Sequence, residues 1–376
     1  MLTHCVSLAA MTTCRGLLLL LGFVGSMFLI ILTSHQWDMS KEKRGKICLC
    51  VFVCFNFVLF LLCILVLEQK QFQVTTHILI LLITAEKIHH LHELRKQLLR
   101  EMCDGDKEAF SEGKRTVEDM SDKELENLIV DDKHGIIYCY IPKVACTNWK
   151  RVMFVLNQSE PYHDPMSIPG DLVHMHSKYT LLNSFPRIEM KVSLAKLKHY
   201  TKFLFVRDPF VRLISAYRDK FQRHNEYYYK NYARYILRQY GNQPDPPQTV
   251  DEAFASGVRP SFYNFIQYLL DPLTEKREPL EPHWRQMHRL CHPCHIQYDF
   301  VGHQETLQDD AEQLLKTLHL KDVINFPPSY ENMTSPDSVL NWFRTVPLED
   351  RRKLYKLYEG DFRLFGYRKP MELLAD

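Results

Sequence analysis

The sequence predicts an α/β fold, a largely parallel sheet covered by helices, behind an apolar N-terminal anchor. Three observations carry this. Short bulky runs that read as buried strands alternate with helical patterns after about residue 118. Two of those runs pass directly into helix starts, and two long stretches near the N-terminus carry no charge. With 46% hydrophobic residues and 47 Lys+Arg against 45 Asp+Glu, the 376-residue chain can bury a full core. Simple disorder is excluded, and without a charge imbalance no nucleic-acid partner is expected.

Residues 16–32 are uncharged over 17 positions and Ile47–Leu67 over 21, with Asn56 the only strongly polar side chain in the latter. A helix needs about 20 apolar residues to cross the hydrocarbon core, so Ile47–Leu67 is the better span and 16–32 is borderline. Lys41, Lys43, Arg44 and Lys46 precede it and Glu68 and Lys70 follow. The positive-inside rule then puts residue 46 in the cytoplasm and everything after Leu67 in a lumen, with 16–32 a possible second span. A different reading stays open: a cleaved signal peptide at 16–32 would leave the large domain cytosolic.

The expected organisation is an N-terminal region at 1–46, an anchor at 47–67, a stem at 68–117 and a globular domain at 118–376. In the stem, residues 86–100 place Ile88, Leu91, Leu94 and Leu98 at helical spacing, an amphipathic helix read as a solvated or self-associating spacer. Residues 104–122 read as a linker.

Six of the eleven cysteines (Cys5, Cys14, Cys48, Cys50, Cys54, Cys63) lie in or near the apolar N-terminus. Cys103, Cys139, Cys146, Cys291 and Cys294 remain, an odd number that leaves at least one thiol free or intermolecular, with the pairing open. Cys291-His-Pro-Cys294-His295 has zinc-like spacing but no second ligand pair, so disulfides or buried thiols are expected and no metal. The sequons at Asn157 and Asn332 are usable only in a lumen.

Along the globular part, Ile136–Ile141, Phe203–Val206 and Ile296–Val301 read as strands. Helices are expected at 147–156, 209–222, 261–270, 306–318 and 348–358. Ligands of open α/β sheets bind at the carboxyl ends of strands, so the two strand-to-helix junctions are where chemistry is sought. At Pro142-Lys143-Val144-Ala145-Cys146-Thr147-Asn148 a helix start offers unpaired N–H groups, Lys143 a charge and Thr147 a hydroxyl. This is phosphate-binding logic without the nucleotide-triphosphate loop, because Gly-x-x-x-x-Gly-Lys-Ser/Thr is absent. At the second junction Arg207 ends a strand, Pro209 suits a first helical turn, and Ser215 follows two turns along. Taken singly, these residues read rather as ordinary caps and surface charges than as a ligand site.

Together they resemble a family. IPKVACTNWKRVM is similar to the 5′-phosphosulfate loop, and FVRDPFVRLISAYRDKF to the 3′-phosphate motif, of carbohydrate sulfotransferases that use PAPS (3′-phosphoadenosine 5′-phosphosulfate). FIQYLLDP, HWRQMHRLCHPCHIQYDFVG and LYKLYEGDFRLFGY extend the resemblance, over about 118–376, to the chondroitin 4-sulfotransferases. It implies the PAPS-dependent sulfotransferase fold, nucleotide-kinase-like, in a single-pass type II Golgi membrane enzyme. The implied reaction moves a sulfuryl group to the 4-hydroxyl of N-acetylgalactosamine in chondroitin; the alternatives are dermatan or another N-acetylgalactosamine-bearing glycan as acceptor, or a catalytically silent glycan-binding relative. No metal is chemically required.

Carried over by residue, Pro142, Lys143, Val144, Ala145, Cys146, Thr147 and Asn148 wrap the phosphosulfate. Arg207 and Ser215 grip the 3′-phosphate from the run that also holds Asp208, Pro209, Phe210, Val211, Arg212, Leu213 and Ile214. Lys143 stabilises charge on the leaving phosphate, and His174 is the first candidate for the general base. The chain departs from its relatives where they commonly read Asn-Glu-His-Trp: Glu281-Pro282-His283-Trp284 loses a carboxylate there, and His283 stays as a second base candidate. Basic side chains for an anionic acceptor are sought in Lys191, Lys196, Lys198 and Lys202 and in Arg285 with Arg289. A kinase of similar fold is the nearest enzyme rival, and oligomeric state is not legible.

Overall fold

The computed structural model describes residues 66, 87–105, 110, 116–184, 190–328 and 335–375. The apolar stretch 16–32, nearly all of 47–67, much of the linker and Asn332 lie outside these. Among the described residues no helix is long and apolar enough to cross a membrane.

Strand β1 (Leu128–Asp131) folds back on β2 (Ile136–Cys139) through a tight turn in which Gly135 takes φ +64°, backbone that suits glycine. β3 (Thr180–Leu181) pairs antiparallel with β1. β4 (Thr201–Val206) runs parallel to β2, and β5 (Phe300–His303) parallel to β4, for the order β3-β1-β2-β4-β5. The sheet is therefore mixed, a correction to the expected parallel arrangement, which holds for β2, β4 and β5. A turn as short as 132–135 can only reverse the chain, so it makes β1 antiparallel to β2. β2 and β4 are buried along nearly their whole length, which is why they read as continuous apolar runs without alternation.

The third expected strand begins later than 296, at Phe300. Tyr298 donates its hydroxyl to the Cys291 carbonyl at 2.6 Å and Asp299 accepts from Lys202 N at 2.8 Å, so 296–299 is held in turns. Gly302 is needed within β5, since a Cβ there would overlap the Phe205 ring.

The helices are α1 (87–105), α2 (Cys146–Leu156), α3 (Met190–His199), α4 (Pro209–Lys220), α5 (Arg234–Tyr240), α6 (Val250–Ser256), α7 (Phe262–Leu270), α8 (Leu307–Thr317), α9 (Pro336–Phe343) and α10 (Leu348–Leu364). α2 lays Trp149 on Phe203 and Phe205 of β4, with ring centroids 4.8 and 5.0 Å apart. A second core away from the sheet includes Phe210, Phe265, Phe343, Phe362 and buried Trp284.

α1 corrects the expected solvated spacer. Arg95 donates to Asp310 Oδ2 at 2.7 Å and to Thr306 Oγ1 at 3.1 Å, His92 packs on Phe300 with centroids 4.1 Å apart, and Leu99 is buried. The buried stripe is thus 92, 95, 99, while Leu91 and Leu94, expected on the apolar face, are 39% and 48% exposed. A polar clasp on Asp310 decides the register here, and hydropathy alone does not report it. Disulfides Cys103–Cys294 and Cys139–Cys291 tie α1 and β2 to the 291–294 turn, and Cys146 is free. The zinc-like spacing thus serves two disulfides.

Candidate active site

Because β2 and β4 are parallel neighbours, the segments leaving them stand side by side. Lys143 and Ala145 adopt φ +70° and +48°, a left-handed pair that turns the chain sharply before α2. Such strain in non-glycine residues is held only where surroundings enforce it. The enforcing contacts come from the second junction. Arg207 Nη1 donates to the Lys143 carbonyl at 3.1 Å. Arg212, 1% exposed, donates from Nε to Pro142 O at 3.0 Å and from its terminal nitrogens to Arg285 O and Pro282 O, each at 2.7 Å.

The two helix starts differ. α4 is capped by Asp208, whose carboxylate accepts from the amides of Phe210 (2.9 Å) and Val211 (3.0 Å). α2 begins at Ala145 with no side-chain cap and no acidic residue in its first turn. The amides of Cys146, Thr147 and Asn148 have no intrahelical acceptor, so this end presents N–H groups and a positive dipole, with no acidic side chain in its own first turn. Lys143 Nζ lies beside it, 3.0 Å from Asp219 Oδ2.

The sulfotransferase family model matches residues 126–368, the segment that carries both junctions. The chain belongs to the sulfotransferase family. Its activity is sulfuryl transfer. The chain is 54% identical over 291 residues to carbohydrate sulfotransferase 12 of Mus musculus, covering 75% of this chain and 70% of that protein. It is 51% identical to carbohydrate sulfotransferase 12 of Xenopus laevis, covering 76% and 70%. To carbohydrate sulfotransferase 11 of Danio rerio it is 40% identical, covering 75% and 78%. No solved structure matches the chain.

In this sulfotransferase the remaining residues singled out from the sequence divide by position. Thr147 Oγ1 lies 3.0 Å from His174 Nε2, so the helix start and the 172–179 segment meet. Burial by neighbouring groups, then the cations of Lys150 and Lys220, push His174 down to about 4, although one side of it faces solvent. Ser215 is half-buried on α4. Val144, Pro209, Phe210, Leu213 and Ile214 are buried and supply packing, whereas Val211 is half-buried. Asn148 is 4% exposed and its side-chain amide points to Pro327 O at 3.5 Å, which leaves its backbone N–H as the group at the helix start. Arg212, grouped by sequence with the phosphate motif, has its guanidinium occupied by the three carbonyls that hold the loop.

His283 is better furnished than its sequence suggests. Its Nδ1 lies 2.8 Å from Glu281 Oε1 and 2.9 Å from the Tyr228 hydroxyl, which donates to Glu281 at 2.8 Å. Glu281, two residues upstream, thus gives His283 a carboxylate partner. Sequence reading missed this pair because Glu281 reaches His283 only around the turn closed by Trp284 N and Arg285 N donating to Glu281 O.

The first lysine cluster, which the sequence favours as solvated faces over an acceptor surface, is taken up in ion pairs at Lys196 and Lys202. Lys202 is at the beginning of β4, the opposite end of the strand from Arg207, and pairs with Asp299 at 2.8 Å; Lys196 pairs with Asp132. Arg285 and Arg289 line a separate cleft with Lys123, His288, His292 and His295. Asn157 caps the end of α2 and is exposed. Among the described residues no group of three or more His, Cys, Asp or Glu is arranged to hold a metal.

Proposed function

We propose that this sulfotransferase uses PAPS to sulfate the 4-hydroxyl of N-acetylgalactosamine in chondroitin, as a type II membrane protein of the Golgi anchored by residues 47–67. The observation that carries the donor is the uncapped start of α2 beside Lys143, next to Arg207. A donor with two separated anionic ends suits one open helix start and one guanidinium on the adjacent junction. When bound, PAPS supplies a sulfuryl group on a phosphosulfate anhydride. The amides of Cys146, Thr147 and Asn148 with Lys143 would hold its 5′ end, and Arg207 with Ser215 its 3′-phosphate. The 4-hydroxyl acceptor rests on the similarity to carbohydrate sulfotransferases 11 and 12 and on the chondroitin 4-sulfotransferase resemblance of the sequence.

Lys143 and the α2 dipole are oriented in advance toward negative charge growing on the leaving phosphate, which is where preorganised groups lower a barrier. His174 is neutral at pH 7, reachable from solvent and in contact with Thr147 at the helix start, so its imidazole takes the acceptor proton. His283 is the second reading, favoured by one observation: Glu281 on Nδ1 orients the ring and would stabilise the imidazolium.

The deciding experiment offers labelled PAPS to the full chain with desulfated chondroitin, dermatan and heparosan side by side. Label at the 4-position of N-acetylgalactosamine, released as the expected disaccharide, supports the assignment; label elsewhere, or transfer only to heparosan, overturns it.

A further inference from the structure

Three lysines bear on His174, and they are provided for differently. Lys143 and Lys220 share Asp219, at 3.0 and 3.2 Å. Lys150, one turn into α2, is 2% exposed, with its ammonium 3.6 Å from the centroid of the Tyr140 ring and 5.9 Å from that of Tyr179. Among the described residues no carboxylate pairs with it and no oxygen accepts from it. Burial draws its pKa down, with the Cys146 thiol alone opposing. Ring faces compensate a buried ammonium in part. Among the described residues no protein oxygen answers its three donors, so an anionic ligand group would supply the missing partner.

Position says which ligand. Lys150 lies one turn along α2 from Thr147, whose Oγ1 is 3.0 Å from His174 Nε2, and the Tyr179 ring over which its ammonium sits donates its hydroxyl to Val173 O, next to His174, at 2.8 Å. Lys143 is on the side of the α2 start, where the donor's anions already have amides, Lys143 and Arg207. Lys150 is on the side of Tyr140, Tyr179 and His176, whose Nε2 is 3.2 Å from the Tyr140 hydroxyl. Two tyrosine rings, an imidazole and an ammonium with no carboxylate partner, all close to His174, are what a sugar bearing a carboxylate would meet.

We propose that Lys150 is an acceptor-binding residue that takes the carboxylate of the uronate next to the sulfated N-acetylgalactosamine. This rests on the chondroitin reading above and deepens it. In the alternating polymer every acceptor sugar has a uronate neighbour, so the contact would select the chain as well as position it.

The test compares native chondroitin with chondroitin whose carboxyl groups have been reduced to alcohols, using the full chain, wild type and Lys150→Met. A charge-assisted contact predicts that the wild type prefers the native polymer by about 10- to 100-fold in kcat/KM. In Lys150→Met the two values should converge, while the dissociation constant for adenosine 3′,5′-bisphosphate, measured by calorimetry, stays within about twofold. That constant also reports that the variant is folded. A wild type indifferent to carboxyl reduction overturns the proposal without any variant. So does a variant that keeps the preference, or one whose nucleotide affinity falls with its acceptor affinity, since the anion is then the donor's. Failure of the wild type to sulfate chondroitin at all would instead sink the underlying reading.

Discussion

Lys143 Nζ stands 3.0 Å from Asp219 Oδ2, and Lys220 Nζ reaches the same oxygen at 3.2 Å. Burial works to raise the Asp219 pKa, yet the two ammonium groups hold it down to about 2. Without donor, Asp219 thus occupies the charge that an arriving phosphosulfate needs. Lys143→Ala should lower kcat by about two to three orders of magnitude and weaken nucleotide binding. Asp219→Asn should separate the two quantities: tighter binding of adenosine 3′,5′-bisphosphate because a competing anion is gone, and a lower kcat because Lys143 loses its orienting partner. Calorimetry and initial rates check both, and looser nucleotide binding in Asp219→Asn would refute the competition.

Arg212 predicts a stability effect where its motif suggests a cofactor effect. Its guanidinium serves Pro142, Arg285 and Pro282 carbonyls from a fully buried position. Arg212→Met leaves those acceptors without donors and should destabilise the domain by about 3 kcal/mol or more. Arg212→Lys should rescue little, because a point charge cannot span three carbonyls from one fork. Chemical denaturation measures it.

Much of this site was legible because its signals are local. Pro209 behind Asp208 announces α4, the bulky runs around Tyr138 and Phe203 announce central strands, and the two junctions meet because β2 and β4 are parallel neighbours. What escaped depends on contacts between distant segments. β1 has just three apolar residues, Leu128, Ile129 and Val130, before Asp131, too few to stand out from a loop. The register of α1 is decided by Arg95 reaching Asp310, 215 positions away. The Glu281–His283 pair needs a turn to form, and the idle ammonium of Lys150 is visible only once its surroundings are known.

His303 sets a pH dependence of stability. Burial, and then the nearby charges of Arg95 and His92, lower its pKa from 6.5 to about 3. A folded-state pKa below the unfolded one means the unfolded chain binds the proton first as pH falls. Stability is therefore complete above about 6.5 and declines between 6.5 and 3, by about 2 kcal/mol at pH 5 from this residue. Melting followed from pH 7.5 to 5 should show the decline, and His303→Gln should flatten it. An unchanged slope in the variant would assign the effect to other groups.

His174 makes the sharpest kinetic prediction. In the free protein its pKa is about 4, first because neighbouring groups desolvate it and then because Lys150 and Lys220 repel a proton. A base in that state stays neutral as pH falls, so kcat/KM for PAPS should remain level to about pH 5, where an unperturbed histidine would bend the profile near 6.5. Bound PAPS brings negative charge to the same corner and favours the imidazolium. The acid limb of kcat at saturating PAPS should therefore lie at higher pH than that of kcat/KM. His174→Ala should remove the limb and lower kcat by about two orders of magnitude with nucleotide affinity kept. A near-normal rate in that variant, together with a collapse in His283→Ala, would transfer the proton to His283 and its Glu281 partner.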